Sequence, residues 1–185
     1  MVPFGGLRAD RERRAKVAAY VQNLMIEPGA TDVDWLATIG TGGDADHAMW
    51  ELRYARRALG LIAAQRDALD DATGSLVARE LMSALSRDPH VGAGKREIAE
   101  AQFNARLGAY REAIDTPGAA PMAARMGLTL IAFSGGSFRE GEATVGRAGA
   151  LLERYLLEAN EALRAQFGAA SLPDNIAPSA IHPHG

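Results

Sequence analysis

Apolar and polar positions follow a helical period along most of this chain. Between Asp10 and Glu27, Val17, Tyr20, Val21, Leu24 and Met25 fall at i, i+3, i+4, i+7 and i+8, which predicts an amphipathic helix ended by Pro28-Gly29. Val33 to Ile39 fits either a strand or a helical turn, broken by Gly40, Gly42 and Gly43. From Asp44 to Arg87, the residues Leu52, Ala55, Leu59, Ile62, Leu69 and Leu76 keep to a spacing of roughly 3.5 residues, the seam of a coiled coil. Arg66 and Thr73 occupy the two missing seam positions. Asp70-Asp71 and Gly74 predict a break there, because they read as one helix end followed by a new N-terminus.

Asp88-Pro89 stops this segment, since a residue before proline is pushed out of the α region. The next helix carries Ile98, Ala99, Phe103, Leu107, Tyr110 and Ile114 on one side, and Asp115 to Gly118 ends it. In the following helix, Met122 to Ser134, the apolar residues keep to no single face, the pattern of a buried bundle centre. Gly135-Gly136 reads as its stop, and Ser137 with Glu140 as the capping box of a last helix. That helix carries Val145, Ala148, Leu152, Tyr155, Ala159 and Leu163 down one stripe to Phe167. The expectation is an all-α, single-domain bundle of five or six helices over residues 1–167, with an irregular N-terminal start. Residues 168–185, with Pro173, Pro178 and Pro183, form a C-terminal arm or flexible tail.

Composition supports the helical reading: 37 of the 185 residues are alanine and 18 are arginine, both good helix formers. The absence of cysteine excludes disulfides, thiolate metal sites and a cysteine nucleophile. A formal charge of −3 gives no global reason to seek nucleic acid or an anionic membrane. The apolar start, Met1 to Leu7, precedes its arginines, the reverse of a secretory signal, and the run Met126 to Phe133 is far too short to span a bilayer. A soluble, cytoplasmic protein is expected.

The densest polar constellation is Asp44, Asp46, His47 and Glu51, whose spacing lets carboxylates and an imidazole share one side of a helix and hold a divalent metal. The competing reading makes Asp44 and Asp46 capping residues and His47 an exposed one. Gly40-Thr41-Gly42-Gly43-Asp44-Ala45 matches a G-x-G-x-x-A pattern, but no alternating βαβ series surrounds it. Phe133-Ser134-Gly135-Gly136-Ser137-Phe138 suits an anion nest near Arg139, or simply a helix stop and cap. His90 follows Pro89 with no acid placed to orient it as a base, and His182 and His184 lie in the tail.

Arg8, Arg11, Arg13, Arg14 and Lys16 form a basic cluster suited to an acidic partner, with Arg53, Arg56 and Arg57 as a second strip. Trp35, Trp50, Met122 and Met126 suit the lining of a small apolar ligand cavity. With no catalytic constellation of specific spacing and no cofactor motif, the leading expectation is a non-catalytic interaction or scaffold protein. It would self-associate, or meet another protein, through Leu52, Leu59, Ile62, Leu69 and Leu76. The alternatives are a metal-dependent helical enzyme and a bundle that binds a small apolar ligand.

Overall fold

The computed structural model describes residues 4–66, 70–136 and 141–168. Among the described residues there are seven α-helices and no strand: α1 (Phe4–Leu24), α2 (Ala30–Ile39), α3 (Ala45–Arg66), α4 (Asp71–Ser86), α5 (Arg96–Asp115), α6 (Met122–Phe133) and α7 (Glu142–Phe167). The all-helical class holds, and the count exceeds the expected five or six. The ambiguous Val33 to Ile39 stretch lies within α2, where Val33, Leu36 and Ala37 are buried at i, i+3 and i+4. That spacing belongs to a helix, because a strand would bury alternate residues.

The Asp44 to Arg87 segment is two helices. Asp70 caps α4, its carboxylate accepting hydrogen bonds from the Thr73 backbone N–H and hydroxyl, both at 2.9 Å. Helix already begins at Phe4, and the expected irregular start otherwise falls on residues 1–3, which lie outside the described residues. The Ser137 and Glu140 capping box lies outside the described residues, and α7 begins after Gly141. Residues 169–185 also lie outside them.

The buried centre of the bundle is α3 rather than α6. It packs against every other helix and buries fourteen of its residues between Ala48 and Ala64. Its sequence hides this, because Glu51, Arg53 and Arg57 are among the buried positions. Ionic side chains enter a core only when paired, so their burial depends on partners supplied by other helices. α6 is buried mainly along Met126, Gly127, Leu130 and Ile131. Ile98, expected on the inner side of α5, is 57% exposed.

α6 and α7 approach through small residues. A Cβ built on Gly127 would fall 2.6 Å from the Val145 carbonyl oxygen, and one on Gly149 would fall 2.6 Å from that of Ala123. Only hydrogen fits where two helix backbones come this close. α1 and α3 are joined by a buried hydrogen bond that the Tyr20 hydroxyl donates to the Gly60 carbonyl at 2.7 Å.

Candidate functional site

α3 turns a polar stripe toward α5 and the α4–α5 loop. His47, Glu51, Tyr54 and Arg57 stand at i, i+4, i+7 and i+10, which a helix brings to one side. Glu51 is only 2% exposed. Its carboxylate accepts two hydrogen bonds from Arg106 of α5, at Oε1 from Nη2 (2.5 Å) and at Oε2 from Nε (3.1 Å). This bidentate pairing matches the planar fork of a guanidinium to a carboxylate. The Arg106 guanidinium also lies over the rings of Phe133 at 4.3 Å and Tyr54 at 5.5 Å. At the surface end, His47 Nε2 is 3.3 Å from Glu51 Oε1. Burial pushes the Tyr54 phenol pKa up, with Arg106 opposing, and its hydroxyl donates to Gln102 Oε1 at 3.0 Å.

At the other end of the stripe, buried Arg57 donates from Nη2 to Asp88 Oδ2 at 2.9 Å. Asp88 Oδ1 accepts the His90 backbone N–H and lies against His90 Nδ1, both at 3.0 Å. Burial works to raise the pKa of this carboxyl. The His90 amide and ring and the Arg57 guanidinium outweigh it and hold the pKa below the ordinary value. Burial lowers the Arg57 pKa, and Asp88 opposes that shift. Contrary to the expectation from the sequence, His90 does have an orienting acid, and it is Asp88. The signal was local: an aspartate reaches the amide two residues on in an Asx turn, and Asp88-Pro89-His90 has that spacing.

Both imidazoles are partly exposed and backed by a buried carboxylate, the arrangement that orients a histidine for proton transfer. In each case the carboxylate is also bound by an arginine, so its charge is already compensated.

Asp44, Asp46, His47 and Glu51 do meet at the start of α3, but not around a common point. Asp44 Oδ1 accepts the His47 backbone N–H at 3.0 Å as an N-cap, Asp46 is exposed, and Glu51 faces Arg106 and His47. Among the described residues, no group of three or more His, Asp or Glu side chains is placed to hold a metal ion. The two glycine-rich stretches meet each other here. A Cβ on Gly40 would collide with the Ser134 side chain, and one on Gly135 would lie 3.5 Å from the Gly40 carbonyl oxygen. Close packing of two turns accounts for these glycines, and Gly135, at φ 81°, also occupies left-handed backbone.

Leu52, Leu59 and Ile62 are buried in the chain's own core, so they are not available as an interface. Leu76 is partly buried against that core, and Leu69 lies outside the described residues. A helix that is enclosed on all sides spends its apolar stripe inside the monomer. The strip Arg53, Arg56 and Arg57 is likewise engaged, with Glu27 at 2.8 Å, Glu158 at 2.7 Å and Asp88 at 2.9 Å. Arg8, Arg11 and Arg14 are exposed on α1, whereas Arg13 and Lys16 are partly exposed. Trp35, Trp50, Met122 and Met126 line neither of the two hollows found among the described residues. Met126 is fully buried, Trp50 lies under Arg53 at 4.7 Å and Trp35 under Arg147 at 4.5 Å.

The apolar opening lies elsewhere. A groove of about 410 Å³ between α1, α3 and α7 is lined by Leu24, Ile26, Tyr155, Ala159, Ala162 and Ala165, with the Arg56–Glu158 ion pair and Glu161 also at its walls. Ile26 at its edge is 52% exposed. A second hollow, of about 480 Å³, between α3, α4 and α5 is polar, with Arg66, Arg111, Asp70, Asp71 and Asp115 around it. No described helix is long and apolar enough to cross a membrane. Compared with protein-family models, curated proteins and solved structures, the chain matches none.

Proposed function

We propose that this chain is a non-catalytic helical interaction protein that self-associates through the groove between α1 and α7. The observation that carries this reading is the apolar groove itself, open to solvent with Ile26 exposed at its edge and floored by alanines that let another helix approach closely. The polar stripe of α3 supports it from the other side. Both carboxylates that would activate a histidine are engaged by arginines inside the fold, which suits holding helices together more than moving protons.

Ala162→Glu combined with Ile26→Glu places charge in the groove without touching the α3 core. Sedimentation equilibrium over a concentration series is expected to show an oligomer for the native chain and a monomer for the variant, at equal helicity. A native chain that stays monomeric throughout the series rejects self-association. A small apolar ligand in the same groove is the second reading, favoured by a volume within the range of ligand cavities. Native mass spectrometry of a monomer carrying a bound organic mass would select it.

A further inference from the structure

α2 is seated differently from the other helices. α1, α4, α5, α6 and α7 each pack on α3 and on two further helices, whereas α2 packs on α3 alone among the described helices. It is also short, at 10 residues, and buries only Val33, Leu36 and Ala37. An element with so little buried apolar surface is the kind that opens without the rest of the fold.

Beyond α3, two side chains reach across from α7 to hold α2. The Arg154 guanidinium donates from Nη2 to Asp32 Oδ2 at 2.5 Å, and the Arg147 guanidinium lies over the Trp35 ring at 4.5 Å. Arg147 and Arg154 stand two turns apart on α7, and Asp32 and Trp35 one turn apart on α2, so each pair shares one side of its helix. The backbones of α2 and α7 do not approach each other, and these arginines bridge the space between them. Arg154 is 51% exposed and Arg147 is exposed as well, which leaves both contacts open to water and salt.

The two ends of α2 are anchored unequally. At the C-terminal end Gly40 is seated so closely on Ser134 that a Cβ there would collide with its side chain, and Gly42 and Gly43 continue the turn in left-handed backbone at φ 64° and 91°. At the N-terminal end Gly29 caps the helix with no side-chain hydrogen bond, and a Cβ there would meet only the Asp32 carboxylate of α2 itself.

We infer that α2 is a flap on α3, which lifts about the Gly40 turn while the six other described helices stay packed, and that Arg147 and Arg154 of α7 are the latch that holds it down. Lifting uncovers Val33, Leu36 and Ala37 together with the part of α3 beneath them, an apolar surface that is shut away in the closed chain. An exposed ion pair and an exposed cation–π contact each contribute little, so the latch is light, and salt weakens its ionic half. Neither Asp32 nor Trp35 lines the α1–α7 groove, and this inference does not rest on self-association.

The test is residue-resolved amide hydrogen exchange of the full chain, followed by NMR at low and high salt. The helical amides from Val33 to Ile39 should exchange at least about tenfold faster than those from Leu52 to Ile62 in α3, each corrected for its intrinsic rate. Arg147→Gln and Arg154→Gln should each speed exchange in α2 by about two- to fivefold, the worth of one exposed contact, and leave α3 and α5 as they were. Added salt should speed α2 in the native chain, and less so in Arg154→Gln, which has lost the ionic contact. Exchange of α2 in step with α3, variants that speed all helices alike, or variants that leave α2 unmoved would each overturn the inference.

Discussion

Glu51 of α3 and Arg106 of α5 face each other with both carboxylate oxygens engaged, at 2.5 and 3.1 Å, although Glu51 is almost wholly enclosed. The pair ties the central helix to its neighbour and fixes the rotation of α3 about its own axis. Removing only the cation leaves a buried carboxylate without its partner. Arg106→Ala is therefore expected to destabilise the fold by about 3 kcal/mol, read from urea denaturation. The double replacement Glu51→Leu with Arg106→Met removes both charges, and most of that stability should return. A double variant as unstable as Arg106→Ala would contradict this account of the pair.

The stability of the fold should decline at both ends of the pH scale. Asp88 has its pKa lowered in the folded chain, and so does Asp70, through its hydrogen bonds to Thr73. A carboxyl of this kind stabilises fully above its unfolded value of about 4, and the contribution is lost as pH falls through the folded pKa. Asp88→Asn should flatten the acid limb of thermal melts taken as a function of pH.

At the alkaline end, burial raises the phenol pKa of Tyr110 and pushes that of Tyr155 up to about 12. A raised pKa favours the protonated fold, so this stability is full below about pH 10, the unfolded value, and declines as pH climbs toward the folded one. Tyr155→Phe should flatten this limb at little cost near neutrality, because the Tyr155 hydroxyl makes no hydrogen bond among the described residues.

Two glycines should respond oppositely to alanine. At Gly127 the added methyl would sit 2.6 Å from the Val145 carbonyl oxygen and 2.9 Å from the Gly149 nitrogen, backbone atoms that can yield only if the helices separate. Gly127→Ala should cost about 1–3 kcal/mol. Gly146 is an exposed position within α7 with open space around its Cβ direction, so Gly146→Ala should stabilise by about 0.5–1 kcal/mol. Melting temperatures that move in the same direction would show that the α6–α7 approach is not as described.

Tyr20→Phe removes the buried hydrogen bond to the Gly60 carbonyl between α1 and α3. A loss of about 1 kcal/mol is expected in chemical denaturation, with helicity unchanged.

The helices themselves were largely legible from local pattern. The stripe from Val17 to Leu24, the terminator Asp88-Pro89, the cap at Asp70 and the end of α7 at Phe167 all follow from residues within a turn or two of one another. Hydrophobic period and capping chemistry act over that range, so a linear reading reaches them. Asp88 and His90 lie within the same reach, since an Asx turn closes over two residues.

The centre of the bundle was not legible, because burial of α3 depends on partners far along the chain. Glu51 needs Arg106, Arg57 needs Asp88, Arg56 needs Glu158, and these charges look like a solvated face until the other helices supply the counter-charge. For the same reason the stripe of Leu52, Leu59 and Ile62 read equally well as an interface or a core, since a spacing records which side of a helix is apolar and not what covers it. The sequence by itself determined the helical class and most helix ends, through interactions that close within a few residues. Only the tertiary structure decided which helix is enclosed, which charges are spent inside, and which apolar surface stays open between α1 and α7, because each depends on groups that folding brings together from distant positions.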